Sequence, residues 1–458
     1  MYSQQEQQDV EKRAQFSSKL GFVMAAAGSA IGVGNIWGFP TQAASNGGGA
    51  FLLVYLLFIF LLGYPMLVAE ITIGRHGQAN PFRALQTLTR NKSGKLLAGL
   101  VGLAAILTVS FIFTFYAIVS GWFVAYALEP VAGLMGADAA AAWLTDFSTA
   151  RNLVFTLLFA LLSLYVVSRG LEQGIEKWST RLMPLLLLML VLLTGYMLLQ
   201  PGASEGLKVY LVPDFNRVLN RDVLISALGQ SFFSLSLGAA VMMLYGSYLN
   251  RQANIPALAA QVTLLDTGVA FMAGLLILPA MYVAQHNGVT IFAEDGSLIS
   301  SDTLVFSVLP ALFKTMGAAQ YPVALAFFVL MIVAALTSAI SMLEAPVSLV
   351  LESSTLSRIK ATWLVTAICT LFSVVIVFNF GSLFGLVITV TTQYAQPLVS
   401  MCITIYAGWV WQRNAVLTEL QQGNPELAQG LFWKIWPWYV RFVCPVLVLV
   451  VIVQSFAG

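Results

Sequence analysis

The 458-residue chain has the composition of an integral membrane protein. Hydrophobic residues make up 59% of it and charged residues 9%, against about 45–50% and about 25% in soluble domains. This excludes an ordinary soluble globular protein, and the net charge of +2 gives no indication of a nucleic-acid partner.

Eleven apolar segments follow one another along the chain, each long enough to cross the roughly 30 Å hydrocarbon core of a bilayer. The sequence therefore predicts an all-α integral membrane protein with eleven transmembrane helices in a single domain over residues 1–458. The segments lie at about 20–43, 50–73, 96–127, 152–168, 179–199, 223–248, 257–283, 322–351, 361–380, 383–411 and 435–456.

The first segment contains a break. Residues 21–40 read GFVMAAAGSAIGVGNIWGFP, and glycine weakens a helix because its backbone loses more entropy on folding. Unwound backbone at membrane depth persists only where it is buried in protein or lines a water-filled cavity, and its free amides and carbonyls can bind an ion or a polar solute. The alternative is close helix packing through Gly28 and Gly32, which have the GxxxG spacing.

The sixth segment contains a second break. Residues 229–248 read GQSFFSLSLGAAVMMLYGSY, with two serines and a glycine clustered at mid-depth. Interrupted helices at corresponding positions of two halves are typical of the central site of a transporter. The alternative is serine hydroxyls bonded to their own helix. The two inverted repeats and the last helix are predicted at about 20–199, 223–411 and 435–456.

Basic residues are concentrated in the loops on one side of the predicted bundle, including Arg75, Arg83 and Arg90. Because cytoplasmic loops carry an excess of Lys and Arg, we expect the N-terminus in the cytoplasm. Eleven spans then place the C-terminus on the extracytoplasmic side. An enzyme is not expected, since His76 and His286 lie in loops on opposite sides and no nucleophile–base motif is present.

Several motifs together resemble the neurotransmitter:sodium symporter family, in the right order over nearly the whole chain. The resemblance implies a 5+5 inverted-repeat, leucine-transporter-like fold with helices 1 and 6 unwound at mid-membrane. It also implies sodium-coupled import of an amino acid, neutral or hydrophobic, by alternating access across a bacterial plasma membrane. The motifs are GSAIGVGNIWGFP, NGGGAF at 46–51, FYAIVSGW at 115–122, GQSFFSLSLG at 229–238 and LTSAISMLE at 336–344.

The resemblance further implies two sodium sites built from oxygen ligands, which hard cations prefer. For the two hydroxyls of the second site, bonding to the helix backbone is the alternative. The first site would comprise the Ala30 carbonyl and the side chains of Asn35, Ser234 and Asp266. The second would comprise the carbonyls of Gly28, Ile31 and Ala334 and the hydroxyls of Thr337 and Ser338.

Asp266 lies within an apolar helix, where a carboxylate costs several kcal/mol unless it is neutralised. Family members that require chloride usually have asparagine here, so the resemblance implies that no chloride is needed. The alternative is a protonated aspartate bonded to a neighbouring helix. Glu70 and Glu344 are expected to accept hydrogen bonds from the unwound backbone.

The implied substrate site lies between the two unwound segments. The amides of Val33 and Gly34 and the hydroxyl of Tyr116 would face a carboxylate, which the positive end of a half-helix favours. Ala239, where relatives often carry Phe or Met, should enlarge the side-chain pocket. The full set is Ala30, Gly32, Val33, Gly34, Ile112, Tyr116, Phe233, Ser234, Ser236, Gly238, Ala239, Ser341 and Met342.

The gates follow the family pattern only in part. At the outer gate Gly38 replaces the arginine and Val387 replaces the aspartate, so no unpaired charge is left buried. Gly174 and Pro184 predict a weakened inner end of helix 5, although a simple proline kink would explain them as well. The inner gate would comprise Arg13, Phe16, Tyr248 and Glu352, for which ordinary loop charges are the alternative.

Two other functions remain open from the sequence. The absent outer-gate charges suggest a sodium-coupled transporter of a non-α-amino solute such as a betaine, taurine or a GABA-like compound. The second function that remains open is that of a substrate sensor or an ion channel built on the same fold. A sensor would bind without uptake, and a channel would pass current without substrate.

Overall fold

The computed structural model of the protein describes residues 13–291 and 305–457, in which helices are the regular elements and no strand occurs. Within them, nine helices are long and apolar enough to cross a membrane, or ten if one bent pair counts as a span. This does not confirm the predicted eleven, because the sixth span consists of two short helices. The elements are α1 (Lys19–Ala30 and Gly34–Ser45), α2 (Gly49–Gly77), α3 (Lys92–Leu134), α4 (Thr149–Ser168), α5 (Leu171–Leu198), α6 (Arg221–Ser234 and Val241–Ser247), α7 (Ile255–His286), α8 (Gly317–Ser353), α9 (Arg358–Phe378), α10 (Phe380–Val410) and α11 (Leu431–Phe456).

The break in α1 divides it into α1a (Lys19–Ala30) and α1b (Gly34–Ser45), which are bent by 55° relative to each other. The hydroxyl of Ser18 caps the start of α1a by accepting the Gly21 N–H at 2.9 Å. The helix ends at Ala30, and the backbone of the next residue, Ile31, is extended with φ −73° and ψ 100°. The carbonyls of the last turn of α1a are therefore available to side chains of other helices.

The break in α6 divides it into α6a (Arg221–Ser234) and α6b (Val241–Ser247). Between them the backbone takes positive φ angles at Ser236 (53°), Gly238 (76°) and Ala240 (65°). Two of these three residues carry a Cβ, and each such residue costs of the order of 1–2 kcal/mol in the left-handed region. Contacts from neighbouring helices must therefore hold this segment.

Two polar side chains supply those contacts. Glu70 of α2 accepts the Gly238 N–H at 2.7 Å, and Gln396 of α10 donates from Nε2 to the Leu237 carbonyl at 2.8 Å. A Cβ on Gly238 would lie 2.5 Å from the Gln396 carbonyl oxygen, so glycine is needed for this approach. The expected scaffolding by Glu70 is confirmed.

The two breaks face each other inside a shell of longer helices. α3 and α8 pack along one another, and α1a packs against α5, α7 and α8. The inverted repeats at 20–199 and 223–411 stay a prediction, as does the single domain over 1–458, whose residues 1–12, 292–304 and 458 lie outside the described residues.

Candidate functional site

The first predicted ion site is a cluster of three buried side chains from α1b, α6a and α7. Asn35 donates from Nδ2 to Asp266 Oδ1 at 2.8 Å and to Ser234 Oγ at 3.1 Å. The Ser234 hydroxyl in turn donates to Asp266 Oδ2 at 2.6 Å. The alternative, in which this serine bonds to its own helix, therefore does not describe Ser234. The Tyr55 hydroxyl lies 3.1 Å from Ser234 Oγ. Ala30, the fourth predicted ligand, is the last residue of α1a.

Asp266 is fully buried and carries the only carboxylate of this cluster. Among the described residues no Lys, Arg or His side chain lies within 4.0 Å of it. Its partners are a neutral amide and a neutral hydroxyl, which leave the charge of an ionised carboxylate uncompensated. The oxygens of Asp266 and Ser234, and the amide oxygen of Asn35 once its terminal amide is rotated, form a donor set suited to a hard cation.

The second predicted ion site lies where α1a ends against α8. The Ser338 hydroxyl bridges the carbonyls of Gly28 and Ile31, at 3.2 Å to each. Thr337 instead bonds its own helix, donating to the carbonyl of Ala334 at 3.0 Å. The alternative of helix-backbone bonding thus describes Thr337 but not Ser338. A Cβ on Gly28 would lie 3.1 Å from the Thr337 Cβ, so the five predicted ligands converge.

The predicted head-group site lies next to this second cluster. The Val33 N–H donates to the Tyr116 hydroxyl at 3.3 Å, while Gly34 is exposed. A Cβ on Gly32 would lie 2.7 Å from Ser338 Oγ and 2.9 Å from the Tyr116 hydroxyl. Only glycine allows the unwound segment to approach both side chains this closely.

The residues predicted to line the side-chain pocket are uncharged and mostly buried. Ile112, Ala239 and Ser341 are buried, whereas Met342 and Phe233 are half-buried. The Ser341 hydroxyl is already used, since it accepts from the Tyr245 hydroxyl at 2.6 Å and donates to its own helix. Ser236, also predicted to contact substrate, donates to the Ser29 carbonyl at 3.5 Å.

An aromatic cluster lies on the predicted outer side, where the gate charges are missing. A Cβ on Gly38 would meet nothing within 4 Å, and Val387 is half-buried. The ring of Phe306 contacts Trp37 of α1b at 5.6 Å and Trp122 of α3 at 5.4 Å between centroids. Sequence analysis missed this cluster, because the aromatic residues come from three distant segments.

The Trp122 ring extends the cluster to α10, through Phe384 at 5.6 Å. Phe233 and Tyr116, both predicted to contact substrate, do not pack on each other. No ring contact joins those two side chains, both of which the structure describes, and Phe233 instead contacts Phe232 at 5.6 Å.

The four residues predicted for the inner gate form one network. Arg13 NH1 lies 2.5 Å from Glu352 Oε1, and the guanidinium sits 4.8 Å from the centre of the Tyr248 ring. Phe16 packs edge-on against Tyr248 and donates its N–H to the Tyr248 carbonyl at 3.1 Å. Glu352 also accepts from the backbone and side chain of Asn80, at 2.8 Å each. The structure is therefore closed on this side.

The expected role of Glu344 is wrong. Its carboxylate does not accept from the unwound backbone but from the Tyr248 hydroxyl at 2.8 Å and from Arg358 NH2 at 2.5 Å. Both oxygens of the Glu344 carboxylate are therefore used by Tyr248, which follows α6b, and by Arg358, the first residue of α9.

The start of α5 contains a residue that sequence analysis missed. Buried Glu176 accepts from the Ser17 N–H at 2.8 Å, the Ser17 hydroxyl at 2.6 Å and the Ser18 hydroxyl at 3.2 Å. This carboxylate joins the two residues directly before α1a to α5. The only signal in the sequence is a glutamate in GIEKW next to the predicted Gly174.

The predicted weakening of α5 takes the form of a wider turn. Residues Leu171–Glu176 form a π-helical turn, and the helix then continues through Pro184 to Leu198. A Cβ on Gly174 would lie 2.2 Å from the Val166 carbonyl oxygen, so glycine permits this close contact with α4. The helix is not unwound here.

Comparison with known proteins agrees with this geometry. The sequence matches the Sodium:neurotransmitter symporter family over residues 13–150 and 144–458. It is 35% identical to a Bacillus subtilis (strain 168) protein named uncharacterized sodium-dependent transporter YhdH, covering 96% of this chain and 97% of that protein. It is 25% identical to the sodium-dependent dopamine transporter of Bos taurus, covering 98% of this chain and 70% of that protein.

The fold is also that of a solved structure in this group. The crystal structure of MhsT in complex with L-phenylalanine matches with a TM-score of 0.82 and 33% sequence identity, covering 97% of this chain and all of MhsT. This match confirms the leucine-transporter-like fold and excludes an enzyme. The chain belongs to the sodium:neurotransmitter symporter family of membrane transporters.

Proposed function

We propose that the protein is a sodium-coupled symporter that imports a neutral or hydrophobic amino acid by alternating access. The observation that carries this proposal is the buried carboxylate of Asp266 beside the two broken helices, which has no Lys, Arg or His side chain within 4.0 Å among the described residues. A cation bound there would neutralise the carboxylate, and the same ion would contact a substrate placed beside it. Proteins named sodium-dependent transporters among the relatives support sodium as that cation.

An amino acid suits the space between the breaks. The Val33 amide now bonded to Tyr116, together with the exposed Gly34, would present N–H groups and a hydroxyl to a carboxylate. The start of α1b adds its positive dipole end. Since the pocket residues are uncharged, the side chain would be neutral, and phenylalanine bound to MhsT is of this class.

The second ion would act on conformation. Ser338 of α8 already bonds the two carbonyls that end α1a, and a sodium ion ligated by the same oxygens would hold α1a against α8. Release of this ion would free α1a, and the Arg13–Glu352 network would then open. Loss of sodium is in this way coupled to opening of the inner side.

The stoichiometry sets the available driving force. Two sodium ions entering down a potential of about 100 mV supply about 4.6 kcal/mol, at roughly 2.3 kcal/mol per charge. At about 1.4 kcal/mol per factor of ten, this sustains a substrate gradient of the order of a thousandfold. The built-in charge of Asp266 supports transport without chloride.

Membrane orientation follows the same proposal. The Arg13–Glu352 network would face the cytoplasm of a bacterium, because Arg83 and Arg358 lie at the same end of the bundle. The N-terminus would then be cytoplasmic and the C-terminus extracytoplasmic.

A thermal-shift screen of the purified protein tests the proposal. Amino acids, betaine, taurine and GABA are added singly, in sodium chloride and in potassium chloride. We expect a neutral amino acid to raise the melting temperature only with sodium, because ligands that bind the folded state stabilise it by mass action. Stabilisation by betaine, taurine or GABA, with no stabilisation by any α-amino acid, would contradict the proposed substrate.

A further inference from the structure

A cavity of about 150 Å³ lies where α10 ends and α11 begins, far along the chain from the transport site. It is lined by side chains of both helices and of the connecting segment, among them Arg413, Arg441 and four tryptophans. The Trp411 ring lies 4.8 Å from the His76 ring, so the cavity is at the end of the bundle where α2 ends. That is also the end of the Arg13–Glu352 network, since Asn80 follows α2 and bonds Glu352.

The two arginines in this cavity have no acidic partner among the residues that the structure describes. Within the described ranges no carboxylate oxygen lies within 4.0 Å of either guanidinium. The Arg441 Nε is buried and has no hydrogen-bond partner among the described residues. A buried donor left unpaired is unfavourable, so an anion that enters this cavity would gain charge-assisted hydrogen bonds.

Aromatic rings hold both guanidiniums in place. Arg441 lies 4.2 Å from the centre of the Trp409 ring, and Arg413 lies 5.5 Å from that of Trp433. Such cation–π contacts orient an arginine but do not neutralise it. The charge thus remains available to a ligand.

Two exposed tryptophans lie beside the cavity: Trp438 lines it, and Trp409 contacts Arg441. Trp409 is 52% exposed and Trp438 is 53% exposed, on helices long and apolar enough to cross the membrane. Tryptophan is enriched at the membrane–water interface, where its ring sits at the level of the lipid headgroups. A ligand of this cavity would therefore have its charge inside and its apolar part along the tryptophans.

We propose that this cavity, lined by Arg413 and Arg441, binds the phosphate headgroup of an anionic phospholipid. Basic pockets between transmembrane helices bind such headgroups. Phosphate oxygens would pair with the two guanidiniums, and the acyl chains would lie against the exposed rings of Trp409 and Trp438. The proposal is independent of the transported solute.

Lipid binding to delipidated, purified protein tests it, with native mass spectrometry to count bound lipids and a melting curve as the second readout. The wild-type protein is titrated with phosphatidylglycerol, phosphatidylcholine or inorganic phosphate. We expect phosphatidylglycerol to bind and to raise the melting temperature. We expect phosphatidylcholine and inorganic phosphate to have little effect.

Charge-removing variants locate the site. Arg413→Gln with Arg441→Gln should weaken phosphatidylglycerol binding by the order of thirtyfold, from about 1 kcal/mol per basic residue. Lys434→Gln is the matched control, because this lysine lies in the same segment but not in the cavity. If the double variant does not fold, exposed Arg413→Gln alone should still weaken binding by about fivefold.

Three results would overturn the proposal. Binding of phosphatidylglycerol by the arginine variants as tight as binding by the wild type would show that Arg413 and Arg441 do not hold the headgroup. Equal binding of phosphatidylcholine would show that apolar contacts alone hold the lipid. Equal stabilisation by inorganic phosphate would assign the cavity to a free anion instead of a lipid.

Discussion

Glu176 joins the start of α1a to α5, and its replacement tests whether this contact helps to hold the inner side closed. The carboxylate is buried and accepts three hydrogen bonds from Ser17 and Ser18. A hydrogen bond to a charged group contributes about 1.5–3 kcal/mol. Because the three bonds share one acceptor they do not add, and we take about 3 kcal/mol for the loss in Glu176→Ala. This corresponds to roughly a hundredfold shift toward the open state.

Hydrogen–deuterium exchange of the peptide over residues 13–22 measures this shift. The N–H groups of Phe16 and Ser17 are bonded to the Tyr248 carbonyl and to Glu176 in the closed state. They should therefore exchange about a hundredfold faster in Glu176→Ala. Glu172→Gln, at an exposed position in the same turn, should leave exchange unchanged. Equal exchange in Glu176→Ala and in the wild type would refute the reasoning.

Three further predictions concern the ion sites and the outer side. Thr337→Ala with Ser338→Ala should remove most of the rise in melting temperature caused by sodium, and a full sodium response would show that the second site lies elsewhere. Uptake should be unchanged with gluconate in place of chloride, whereas Asp266→Asn should make uptake anion-dependent or abolish it. Robust anion-independent uptake by that variant would contradict the view that the Asp266 carboxylate offsets the sodium charge. Gly38→Arg should slow uptake by leaving a charge without a partner, and adding Val387→Asp should restore uptake. Normal uptake by Gly38→Arg alone would show that the absence of the outer-gate arginine and aspartate has no effect on the mechanism.

The sequence predicts the fold well because its main signals are local. Glycines and serines placed midway in apolar segments predicted both breaks, and Asp266 in an apolar helix indicated a site. The predicted count of eleven spans is not confirmed, because in the described residues the sixth span is divided into two helices that are each too short to cross a membrane.

Contacts between distant segments were harder to predict. Glu344 and Glu70 look alike in sequence, both glutamates within apolar helices, yet one pairs with Arg358 and the other with the unwound backbone. Glu176 reads as an ordinary loop charge until α1a is placed beside it. The ring of Phe306 likewise comes next to Trp37 only through folding.

Uptake of radiolabelled amino acids into liposomes containing the purified protein tests the central claim most directly. Under an inward sodium gradient, we predict that a neutral amino acid accumulates above its external concentration, and that the accumulation collapses when sodium is equal on both sides. Equal uptake with potassium in place of sodium, or saturable binding with no uptake, would contradict sodium-coupled transport.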